Sequence, residues 1–270
     1  MLLRHRVALN GAELDELDGR IIIQSVRTDS GKTSMTGISL FRRDGQRLTN
    51  VQRDTIDVEI GFGLLIRKTD MAARAELLDI VNRWAYAAAK ENGGAWLTVN
   101  YKVNRRMWVV LADPAEEGDL KDWANTFTIT FRAYGVPYWQ EISGQSYISN
   151  VGSNRFTIMD IGGSAQTVAN MELHNESGQR IDTVTLRVGD SYMGFTGLGL
   201  EGNESLIIHH DNNGMLRIWI RNASNQFRSA MAQRAWSSAD DLYVNPGKQT
   251  VGFSAQRACK MTVTVYGRYL

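Results

Sequence analysis

A chain of 270 residues can form two cores of roughly 100 to 150 residues each, and 43% hydrophobic with 22% charged residues excludes the composition of a disordered chain. The 30 Lys and Arg balance 29 Asp and Glu, which excludes the net field that draws proteins to nucleic acid or anionic membranes. The single cysteine, Cys259, excludes an internal disulfide and a cysteine-built zinc cluster, and suits assembly in a reducing cytoplasm.

The N-terminal run Met1-Leu2-Leu3-Arg4-His5-Arg6 has no apolar signal core, and no window approaches the roughly 18 apolar residues of a membrane span. Neither a membrane partner nor secretion is expected. Ser30-Gly31-Lys32-Thr33 looks like the end of a phosphate-binding loop. However, Val26 stands where that loop needs its first glycine, and the strand-like Ile38 to Phe41 follows where it needs a helix. A polar hairpin loop is the expected role.

Period-two alternation then gives half-buried strands. Ile56, Val58, Ile60 and Phe62 oppose Asp57, Glu59 and Gly61; Leu97, Val99, Tyr101 and Val103 oppose Thr98, Asn100 and Lys102; Phe127, Ile129 and Phe131 oppose Thr128, Thr130 and Arg132. Between the first two lies the one strong helical period. Thr69 or Asp70 can cap it, Leu77, Ile80, Val81, Trp84 and Ala88 form its apolar stripe, and Asn92-Gly93-Gly94 stops it, which predicts a helix over about 70–91. Met107 to Leu111 is apolar on both sides, as for a strand covered on both faces, with that helix as one of the covers.

Tyr134-Gly135-Val136-Pro137-Tyr138-Trp139 breaks the pattern, and Ser143-Gly144-Gln145-Ser146 is small and polar, so the domain boundary is expected near 140–146: domains 1–142 and 143–270. The second half shows short strand-like runs with turn signals. They are Asn175-Glu176-Ser177-Gly178, Asn212-Asn213-Gly214 between Leu206-Ile207-Ile208 and Leu216 to Ile220, and Asn245-Pro246-Gly247. The fold class is mainly β: an antiparallel domain with one long helix, then a β-sandwich or jelly roll of seven to ten strands.

Little chemistry is encoded. His209 and His210 are adjacent, so on a strand they face opposite ways and cannot share a metal. Asp113, Glu116, Glu117 and Asp119 lack the alternating ligands of a calcium loop and read as a solvated loop. No Gly-x-Ser-x-Gly elbow supports a nucleophilic serine. No cofactor, metal or catalytic residue is assigned, and no enzyme is expected. Of seven tryptophans, Trp84, Trp96, Trp108, Trp123 and Trp139 fall in the first half, which leaves Trp219 and Trp236 as a candidate sugar platform. The small residues Ala72, Ala73, Ala85 and Ala89 of the helix are candidates for a close subunit contact.

Several segments, in order, resemble the distal tail proteins of siphophages: Arg20-Ile21-Ile22-Ile23, Val58 to Phe62, a helix with Ala73-Arg74 and Trp84, Leu97-Thr98-Val99, Trp108-Val109-Val110, and Trp123 to Phe131 running into Pro137-Tyr138-Trp139. Asp241 to Gly247, Val251-Gly252-Phe253 and Val263 to Leu270 are similar to that family's last strands. The resemblance implies a split-barrel-like first domain that forms a homo-hexameric ring between tail tube and tail-tip hub, and a galectin-like second domain. It further implies a virion protein of the tail tip, assembled in the host cytoplasm, with attached receptor-binding proteins as further partners and no sequence-specific nucleic acid. The alternative is a carbohydrate-binding β-sandwich module of a host-recognition protein.

Overall fold

The structure is a computed structural model and describes residues 5–29, 31, 33–39, 46–67, 69–115 and 126–270. Contacts divide the chain into two units, Met1–Trp139 and Gln140–Leu270, against 142/143 from the sequence.

The first unit contains β1 (Val7–Leu9), β2 (Ala12–Glu13), β3 (Ile21–Thr28), β4 (Thr33–Ser39), β5 (Gln46–Arg53), β6 (Ile56–Leu64), α1 (Met71–Ala85), β7 (Ala95–Val99), β8 (Arg105–Asp113) and β9 (Thr126–Ala133). Antiparallel pairing orders seven of these strands β2-β1-β7-β8-β9-β6-β3, while β4 and β5 form a two-stranded sheet of their own. The alternating side chains set the register. Val58 pairs with Phe131, Ile60 with Ile129 and Phe62 with Phe127, so each pair sends two apolar groups inward, each contributing about 2 kcal/mol on burial. β8 bends the surface: Arg106 to Val109 pair with β7, whereas Val110 to Asp113 pair with β9 across a register shift after Leu111.

Helix α1 begins where Asp70 accepts a hydrogen bond from the Ala73 amide at 3.1 Å. Its stripe of Leu77, Leu78, Val81, Trp84 and Ala85 is buried, the Trp84 ring meets Phe131 edge-on at 5.9 Å, and Trp84 Nε1 donates to Ala12 at 2.8 Å. The α-helix ends at Ala85, short of the expected 91. Two 3-10 turns, Tyr86–Ala88 and Lys90–Asn92, replace its last part, with Ala89 extended (φ −62°, ψ 151°) between them. Burial of Ala88 and Ala89 in the core and capture of the Tyr86 carbonyl by Asn92 Nδ2 at 2.8 Å outweigh the helical propensity of the alanines. Likewise β7 stops at Val99 instead of 103. Asn104 takes φ 58° in the turn to β8, which leaves Tyr101 and Val103 exposed.

The second unit carries β10 (Trp139–Glu141, its last two residues in this unit), β11 (Gln145–Ile148), β12 (Gly152–Ile161), β13 (Thr167–Asn175), β14 (Val184–Val188), β15 (Ser191–Phe195), β16 (Ser205–His210), β17 (Leu216–Arg221), β18 (Phe227–Ser229), β19 (Tyr243–Val244), β20 (Gly247–Val265) and β21 (Arg268–Tyr269). The 19-residue β20 is its spine. The first part of β20 pairs with β12 on one side and β14 on the other, and its last part with β11 and β13. One strand thereby joins two antiparallel layers, β15-β14-β20-β12 and β18-β17-β16-β13-β20-β11. Val251, Phe253, Cys259, Met261, Val263 and Val265 of β20 face the shared core with Leu173, Leu186, Phe195, Leu206 and Ile220. The Asn-Gly turn forms as expected: Asp211 Oδ1 accepts from the Asn213 and Met215 amides at 3.0 and 2.9 Å, and Gly214 takes φ 78°.

Candidate functional site

A protein that works by holding neighbours needs side chains that gain nothing inside its own fold, displayed on backbone that is already fixed. On α1 the exposed face runs through Ala72, Ala75, Glu76, Asp79 and Arg83, at helical spacings of three and four. Of the four alanines singled out from sequence, Ala72 is on this face and Ala73 is half-buried at its border. Ala85 and Ala89 are buried in the unit's own core, so the four do not form one contact surface. Ala75 with Glu76 and Asp79 belongs to the open face instead; the complement of the apolar stripe is the signal that locates it.

The outward side of β7 and β8 carries Trp96 opposite Trp108 and Thr98 opposite Arg106. The indole rings cross edge-on at 5.1 Å, with the Arg106 guanidinium 4.0 Å over Trp96. This cluster shields the hairpin's outer face, which is a packing role. Across the neighbouring strands, Arg132 forks onto both oxygens of Asp57 at 2.5 and 2.6 Å, which pushes the guanidinium pKa further up. The pair is partly solvated and adds little stability.

In the second unit the two tryptophans differ. Trp219 lies within β17, half-buried, opposite Ile207 and Ser229. Trp236 sits on a separate strap that runs along β15, the outermost strand on its side of the sheet. The Thr196 amide donates to Gln233 at 3.0 Å, Ala235 to Gly194 at 2.8 Å and Ala239 to Tyr192 at 3.0 Å. Ser238 Oγ accepts from Gly194 at 2.9 Å, Tyr192 Oη donates to the Ser237 carbonyl at 2.5 Å, and Arg234 closes the base on the Asp240 carbonyl at 2.9 Å. The strap covers a strand edge that would otherwise invite pairing. At the tip, in a turn closed by the Ser238 amide on Ala235 at 3.0 Å, the Trp236 side chain is wholly exposed.

The ionisable groups make a structural pattern. His209 is exposed, its pKa lowered by desolvation and by His210. His210 points the other way and is buried, with Nε2 2.8 Å from Asp241 and Nδ1 2.9 Å from Asn170. The Leu242 amide also donates to Asp241 at 2.6 Å, so the pair ties β16 to the strand that follows the strap. Among the described residues no three His, Cys, Asp or Glu side chains are placed to hold a metal. No helix there is long and apolar enough to cross a membrane. Ser30, Lys32, Glu116, Glu117, Asp119 and Trp123 lie outside the described residues; Asp113 ends β8 and Thr33 opens a strand.

No family model and no curated protein matches the sequence. Among solved structures, the Dit protein of phage SPP1, described as a paradigm of the hub adsorption apparatus in phages infecting Gram-positive bacteria, superposes with a TM-score of 0.67. The match covers 98% of this chain and 99% of that one, at 13% identity. The fold is that of SPP1 Dit. The likeness runs through both units and takes in residues 145–235, where sequence offered only a β pattern. Chains of the phage p2 baseplate in its activated conformation, with strontium or calcium, are also similar over 97% and 99% of this chain, at TM-scores of 0.45 and 0.43 and identities of 9% and 10%.

Proposed function

We propose that the chain is a structural component of a phage tail tip. In this reading six copies close through their first units into a ring between the tail tube and the tip hub, and the second units offer attachment points for receptor-binding proteins. The observation that carries it is the end-to-end likeness to SPP1 Dit, with almost no unmatched residue in either chain. Such a protein belongs to the virion and is assembled in the host cytoplasm, in keeping with its lone buried cysteine.

Physical features of the first unit support a head-to-tail contact. Closed rings need two different complementary surfaces on each subunit. Among the described residues, hairpin β4–β5 is a sheet of two strands, Thr33 pairing with Arg53 through to Ser39 with Gln46. Such a hairpin is marginal alone in water and gains most from packing on something else. β3 is the last strand on its side of the seven-strand path and pairs with β6. The hairpin and β3 are therefore our candidates for the two sides of the contact, with the α1 face at Ala72 and Ala75 as a further candidate. Negative-stain images of the purified chain are expected to show six-fold rings with a central opening. Isolated single particles at every concentration would refute the reading.

A further inference from the structure

We propose that Trp236, with Tyr192 beside it, is a saccharide-binding platform on the second unit; this stands apart from the tail-tip reading. An indole left wholly in water forgoes the burial that a Trp side chain normally contributes. Covering the edge of β15 needs only the backbone of the strap and Ser238, so the fold does not account for a tryptophan at the turn's tip. The strap is fixed in advance. Hydrogen bonds at Thr196, Ala235, Ser238 and Ala239, together with the Tyr192 and Arg234 side chains, hold its backbone, so a ligand would pay little ordering cost there.

The surroundings select the ligand class. Protein anchors cluster with other apolar groups in an interface core depleted of charge. Trp236 instead is followed by the exposed Ser237, with the exposed Asp240 at the strap's base and the half-exposed Tyr192 donating its hydroxyl to Ser237. A flat aromatic face flanked by the hydroxyl-bearing Ser237 and Tyr192 suits a sugar ring, whose C–H face stacks while its hydroxyls take the polar partners. Trp219, half-buried in β17, is not part of this platform.

The full chain would be applied to an array of immobilised neutral, N-acetylated and acidic oligosaccharides. The wild type is expected to bind at least one class. Trp236→Ala should lower that signal at least tenfold with an unchanged melting temperature, and Tyr192→Phe should lower it several-fold. Failure of the wild type to bind any glycan would overturn the proposal, as would equal binding by Trp236→Ala. So would a Trp236→Ala variant that keeps glycan binding but changes its sedimentation, which would make Trp236 a protein contact.

Discussion

Asn175 shows how one side chain can hold several chain segments. It is fully buried, its Nδ2 donates to the carbonyls of Gln179, Leu200 and Glu201 at 2.7, 3.0 and 3.0 Å, and its Oδ1 accepts from the Ser177 amide and hydroxyl at 3.0 and 2.7 Å. Asn175→Ala strands these groups and should cost about 3 kcal/mol, read as a lower denaturant midpoint for the second unit. Cys259 makes a prediction with a sign. Burial pushes its thiol up from 9.0 to about 12. The unfolded chain therefore releases this proton first, and the stabilising contribution, whole below pH 9, declines as pH rises toward 12. Wild type should lose stability between pH 9 and 11 faster than Cys259→Ala does; parallel curves would contradict this. The sequence marks Asn175-Glu176-Ser177-Gly178 as a turn. It does not mark Asn175 as a hub, because the carbonyls at 200 and 201 arrive only through tertiary folding.

At the scale of the element, hairpin β4–β5 offers the cleanest separation of folding from assembly. Its base is closed without it: Thr28 pairs with Val58, and the Asp29 amide donates to Asp57 at 2.9 Å. Replacing residues 31–55 with a short turn should therefore keep the β3–β6 ladder and the circular dichroism of α1 while the chain sediments as a monomer. Rings that persist without the hairpin would show that it does not bridge subunits. The helix also shows where sequence legibility stops. Its cap at Asp70 and the Leu77, Val81 and Trp84 members of its apolar stripe were readable, since both are local, whereas Gly93 caps only the last 3-10 turn. The break after Ala85 was not, because packing of Ala88 and Ala89 decides it, and the split of the four alanines between core and surface follows from the same packing.

Over the whole molecule, alternation of apolar and polar residues was enough to read a β fold with one helix, and the strands at 56–62 and 127–131 lie where alternation puts them; the run at 107–111, read as covered on both faces, is a strand with only Met107 and Val109 buried. Sheet order was out of reach. β1 pairs with β7 across some ninety residues, and β20 serves two layers, and such pairings depend on how surfaces meet rather than on local pattern. The exposed Trp236 was visible as a candidate only by elimination, while the strap that displays it is a tertiary feature. The central claim is that this chain works by closing into a ring of like copies. Sedimentation velocity across the micromolar range tests it most directly: the account predicts one species of six times the 30.2 kDa chain mass, and a stable monomer at high micromolar concentration would contradict it.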